Sequence, residues 1–141
     1  MKYKLIDLQE TEFEMDDFEH EIRIGDFGHY YVFCDNKPYL KVEVNIKDWF
    51  RDALIHNNHL LIGSSQKVFF INLSSFEITE LKVEMYFGYF VVLKQMICIL
   101  DGTGIIALDV NLEEKWRNCK NNIGRWDRNK GSIRNVQEWS I

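Results

Sequence analysis

A mainly β fold of antiparallel four-stranded meanders follows from three observations on this 141-residue sequence. One pattern is written twice between His59 and Trp116. The loops between its apolar runs are only two to four residues long. The runs themselves alternate apolar and polar residues, or are β-branched and aromatic throughout. Residues 60–79 read LLIGSSQKVFFINLSSFEIT, and residues 97–116 read ICILDGTGIIALDVNLEEKW. The second copy stands 37 positions after the first without a gap. Leu60 falls on Ile97, Ile62 on Ile99, Val68 on Ile105, Ile71 on Leu108, Asn72 on Asp109 and Glu77 on Glu114. Loops this short join antiparallel neighbours, because a parallel crossover takes about a dozen residues or more.

Taken in order, residues 2–8 alternate loosely and predict a strand. Residues 9–20 carry only Phe13, Met15 and Phe18 as large apolar side chains, and read as a short strand and an exposed turn. Residues 21–24 predict a strand, ended by Gly25-Asp26-Phe27-Gly28, where two glycines around an aspartate mark a turn. Residues 29–45 predict a hairpin: Tyr30 to Cys34 is aromatic and β-branched, Asp35-Asn36-Lys37-Pro38 is turn chemistry, and residues 39–44 alternate with period two. That alternation gives the last strand one wet face. Residues 45–53 lack it and form a helical turn or a loop, with Trp49 or Phe50 plugging the core.

The first repeat then opens at 54–55 and continues through strands at 59–63, 68–73 and 77–83. The second runs through 86–93, 96–100, 104–110 and 113–117. Beyond Asn118 the pattern gives way to a polar stretch. Trp126 and Trp139 anchor that stretch to the body, and residues 133–141 return as a last strand. The expected core is Leu60, Ile62, Val68, Phe70, Ile97, Ile99, Ile105, Ala107 and Trp116.

Four strands recurring at this spacing resemble blades of a β-propeller. The run from Gly104 to Asp109, followed by Trp116, resembles the blade ending of the tryptophan-docking, quinoprotein-like propellers. The first copy departs from it, with Asn72 for the Asp and Thr79 for the Trp. Propellers take about four to eight blades. This chain holds blade-like repeats at 52–83 and 86–118 and a partial blade at 21–44. The resemblance therefore implies an incomplete propeller in a single domain over 1–141, with edges to be covered by its own termini, a second copy or a partner. It carries no catalytic or cofactor residues across.

Composition narrows the function. With 46% hydrophobic and 14% aromatic residues, the chain is globular and not disordered. No apolar run approaches the ~20 residues that cross a membrane. The first residues, broken by Asp7, do not read as a secretory signal, so a cytoplasmic protein is expected. Three cysteines without a CxxC give no disulfide framework and no zinc site. Asp101-Gly102-Thr103-Gly104 is a GxG, but a strand follows it where a dinucleotide site needs a helix, so it reads as a hairpin turn. His56 and His59 straddle an Asn-Asn turn, and no third metal ligand is nominated. Ser64, Ser65, Ser74 and Ser75 lie in turns without a GxSxG elbow. The expectation is a non-enzyme without cofactor or metal.

Charge is the remaining signal. Residues 7–21 carry eight carboxylates and no Lys or Arg, while residues 115–134 carry seven cations. Tryptophans interleave with those cations, as in surfaces that stack nucleic-acid bases. The acidic head repels phosphate, so nucleic acid is not an expected partner. Small, acidic, aromatic-rich and without catalytic motifs, the chain is similar in type to bacterial immunity proteins of contact-dependent growth inhibition and other polymorphic toxin systems. That resemblance implies a protein-binding module that neutralises a cognate toxin, such as a nuclease with a basic cleft. The residues expected to meet the partner are Glu10, Glu12, Glu14, Asp16, Asp17 and Glu19. Two other readings stay open: a scaffold that self-associates into a homodimer through open sheet edges, and an enzyme that uses the head carboxylates.

Overall fold

The computed structural model describes residues 2–7, 17–45, 51–84, 86–102 and 104–118. These residues form twelve strands and no helix. Sheet 1 contains β1 (Tyr3–Asp7), β2 (His20–Arg23), β3 (Phe27–Cys34) and β4 (Lys37–Asn45). Sheet 2 contains β5 (Arg51–His56), β6 (His59–Ser64), β7 (Lys67–Asn72) and β8 (Ile78–Lys82). Sheet 3 contains β9 (Phe87–Leu93), β10 (Met96–Asp101), β11 (Ile105–Leu108) and β12 (Glu114–Asn118). Sheets 2 and 3 are antiparallel meanders in chain order, as the repeat predicts.

Asn72 and Asp109 explain why the repeat ends each third strand on Asn or Asp. Asn72 Oδ1 accepts the backbone N–H groups of Ser74 at 2.8 Å and Ser75 at 3.0 Å. Asp109 Oδ1 accepts those of Asn111 at 2.8 Å and Glu113 at 3.0 Å. Each side chain thus builds the turn that follows it. The second turn is one residue shorter, since Asn72 N–H donates to Glu77 O whereas Asp109 N–H donates to Glu113 O. Glu77 therefore corresponds to Glu113, and the gapless alignment on Glu114 is corrected there. A bulge at Lys115 restores the frame, with Trp116 opposite Ala107 and Glu114 opposite Leu108.

The strand that opens sheet 2 starts at Arg51, earlier than the expected 54–55, because residues 51–56 pair with β6 along their whole length. Residues 46–50, where a helical turn or loop was expected, lie outside the described residues. The turn expected over 25–28 shrinks to 24–26, because Phe27 and Gly28 already pair with Asn45 and Val44 of the long strand β4.

Sheet 1 is where the sequence reading and the structure differ most. The partial blade expected at 21–44 is a four-stranded sheet in the order β1-β3-β4-β2. Its outer strand comes from before the hairpin and runs parallel to β4, pairing Glu21 with Lys41 and Arg23 with Glu43. The chain must then step across the end of β4 to begin β3 on the other side. Ile24 N–H donates to Glu43 O at 2.9 Å during the step. A Cβ on Gly25 would stand 2.5 Å from Asn45 N, so only glycine passes there without displacing backbone.

Sheet 2 is the middle layer, buried on both faces. Leu60, Ile62 and Ile71 pack against Tyr30, Val32, Leu40, Val42 and Val44 of sheet 1. Leu61, Val68 and Phe70 pack against Phe87, Phe90, Ile97, Ile99 and Ile106 of sheet 3. The Phe87 ring lies directly over Gly63, filling the space of a side chain there. Eight of the nine expected core residues are buried, and Trp116 is half-buried beside Cys98, Ile105 and Ala107. β1 lies against β5, and β5 against β9. Asp52 fastens the latter pair by accepting the Phe90 N–H at 3.2 Å. Three four-stranded sheets arranged in this way are loosely compatible with a propeller-like fold.

Single residues on the two outer faces of the stack are buried within the chain. Tyr31, on the outer face of sheet 1, is 0% exposed, and Ile105 and Ala107, on that of sheet 3, are 1% and 0% exposed. No helix among the described residues is long and apolar enough to cross a membrane.

Candidate protein-binding face

Of the six carboxylates expected to meet a partner, Glu10, Glu12, Glu14 and Asp16 lie outside the described residues. So do residues 119–141, with the basic tail, Trp126 and Trp139. Asp17 and Glu19 are described, and both are exposed. Between them Phe18 turns inward. Its ring stacks on Tyr31 at 5.0 Å and 15° and meets Phe33 edge-on at 5.6 Å. Asp17 has φ 67°, a left-handed conformation that a short polar side chain tolerates. Phe18 is thus a pin in the outer face of sheet 1, and the carboxylates on either side of it stay in water. The sequence signal was present: an isolated phenylalanine among acids has little to bury locally, so it must find a distant surface.

The face continues along β2 and β4. Lys41 Nζ lies 3.4 Å from Glu21, and Arg23 lies 2.6 Å from Asp26 and 3.3 Å from Glu43. Glu21, Arg23, Lys41 and Glu43 form a checkerboard around an open hollow of about 220 Å³ that Ile22 also lines. Lys41, expected on the wet face of its strand, is only 9% exposed. It sits opposite Tyr31 on the same sheet face that Phe18 overlies, so its stem is covered while its ammonium reaches Glu21. Asp17, Glu19, Glu21, Asp26 and Glu43 set five carboxylates against two cations in this region. Glu21 and Glu43 were not among the expected contact residues. The period-two alternation of residues 39–44 does place Glu43 on the wet side, but only the pairing of β2 with β4 puts Glu21 next to it.

Behind β2, an aromatic joint ties sheet 1 to the turn after β7. His20 meets Phe76 at 4.3 Å and Tyr39 at 5.3 Å, and Tyr39 meets Tyr3 at 6.0 Å. The Tyr39 hydroxyl donates to Leu73 O at 2.6 Å. The Tyr3 hydroxyl is buried with no hydrogen-bond partner among the described residues. Burial pushes both phenols above their usual pKa; Tyr39 and Cys34 add to the rise at Tyr3, and Cys34 and Glu19 to that at Tyr39.

The remaining sequence candidates take structural places. His56 and His59 pair across the hairpin turn, and His59 Nδ1 lies 2.7 Å from Asn57 O. No cluster of three potential metal ligands occurs among the described residues. In the GxG turn, Gly102 N–H donates to Tyr86 O and Gly104 N–H to Asp101 Oδ1, so the amides that could cradle a phosphate are already occupied. Burial pushes the Cys98 thiol up, which disfavours the reactive thiolate. Comparison with models of known protein families and with curated proteins finds no match.

Proposed function

We propose that this protein is a binding module, and not an enzyme, whose acidic face docks a basic protein partner. The closest functional type is a bacterial immunity protein that neutralises a cognate toxin in the cytoplasm, with a nuclease as the fitting target class. One observation carries the reading: Phe18 is pinned on sheet 1, and Asp17 and Glu19 are held in solvent on either side of it. Glu21 and Glu43 adjoin it, each paired with a cation, Lys41 and Arg23. An acidic surface of this kind raises the encounter rate with a cationic cleft and rejects acidic competitors.

The body that carries the face fits an incomplete propeller. Its inner strands β1, β5 and β9 follow one another. Coexpression with the product of the adjacent reading frame tests the function. A stable complex is expected, with an association rate that falls as salt rises. Recovery of the protein alone, or an association rate indifferent to salt, counts against it.

A further inference from the structure

Resting on the acidic face just proposed, we infer that the outward edge of β2 takes one extended strand of the partner, cationic at alternate positions. β2 is the last strand of its sheet, and no described residue pairs with its far side. Ile24 N–H points to β4, where it donates to Glu43 O. Alternation along the strand then points the N–H and C=O groups of Glu21 and Arg23 away from β4. These are the groups that strand addition uses.

The other outer strands are guarded. On β8 the Lys82 carbonyl accepts Arg117 Nη2 at 3.3 Å. β12 is interrupted by its bulge at Lys115. Both devices oppose pairing with a further strand. On β2, as on β8 where Glu80 reaches Lys67, the charges lean inward: Glu21 reaches Lys41, and Arg23 reaches Glu43 and Asp26. The Glu21 and Arg23 side chains are each 70% exposed.

Charge selects the occupant. A strand laid along β2 passes one exposed cation, Arg23, and three exposed carboxylates, Glu21 and the neighbouring Glu19 and Asp17. Alternating Lys or Arg on the incoming strand meets them with opposite charge.

The test uses the intact, ¹⁵N-labelled protein and two capped peptides. One is an alternating Lys–Val octapeptide, and its twin is N-methylated at every second residue. The unmethylated peptide is expected to shift the Glu21 and Arg23 amides and slow their exchange, and to bind at least about tenfold more tightly than the twin. Equal affinity of the twins overturns the strand inference and leaves the acidic face standing, because charge alone then accounts for binding. Binding without change at the Glu21 and Arg23 amides also overturns it. Binding of neither peptide at about 1 mM removes the strand inference and the acidic face together.

Discussion

At the scale of single residues, the side chains that hold the body are distinct from those left to face a partner. Ile99 is fully buried between sheets 2 and 3. Ile99→Ala is expected to cost about 2–5 kcal/mol in urea denaturation. A cost near zero would place the strand in the other register, where its apolar side chains face water. Tyr3 behaves differently. A buried hydroxyl without a partner costs about 1–3 kcal/mol, so Tyr3→Phe should leave stability at neutral pH unchanged or raise it. Its pKa and that of Tyr39 both rise on folding. The stability tied to the neutral phenols is therefore complete below pH of about 10 and is lost as pH climbs through the folded values. Denaturation midpoints taken on both sides of that pH should fall on the alkaline side, and fall less in Tyr3→Phe. Phe18→Ala should cost about 1 kcal/mol or more from its ring contacts with Tyr31 and Phe33.

At the scale of elements, what could be read from the sequence depended on how far apart the paired segments lie. The meanders were legible because each strand pairs with its sequence neighbour and Leu60 and Ile97 keep one offset. The shorter turn after Asp109 was hidden, because the bulge at Lys115 puts Trp116 back opposite Ala107, the place that Thr79 takes opposite Phe70. The position of β2 was not legible. Its four residues show only loose alternation, and nothing local says that they pair parallel to β4, some twenty positions later. Lys41 looked solvent-facing for the same reason: alternation along its own strand cannot report that Phe18 overlies that side of the sheet. Gly25 was legible as a turn residue, but its close approach to Asn45 was not. Gly25→Ala should therefore lower the melting temperature clearly, whereas the same change in a roomy turn would be mild. Asn72→Ala and Asp109→Ala should each cost about 1 kcal/mol, since each removes two turn hydrogen bonds. Similar losses at the two positions would show that the repeat uses one turn device twice.

At the scale of the whole molecule, a three-sheet stack carries its negative face at the sheet 1 end, fixed by Phe18 and by the pairing of β2 with β4. The central claim is that this face works as an interface and not as a brace for the fold. The most direct measurement is the double change Asp17→Asn and Glu19→Lys, which leaves the Glu21–Lys41 pair intact, with melting and association kinetics read on the same samples. Exposed substitutions usually move stability by less than about 0.5 kcal/mol, so melting should stay close to the wild type. The association rate with a basic partner should drop about tenfold or more at low salt, and the difference should shrink as salt is added. A lowered melting temperature with an unchanged association rate would contradict the claim, because the carboxylates would then be bracing the fold and not meeting a partner.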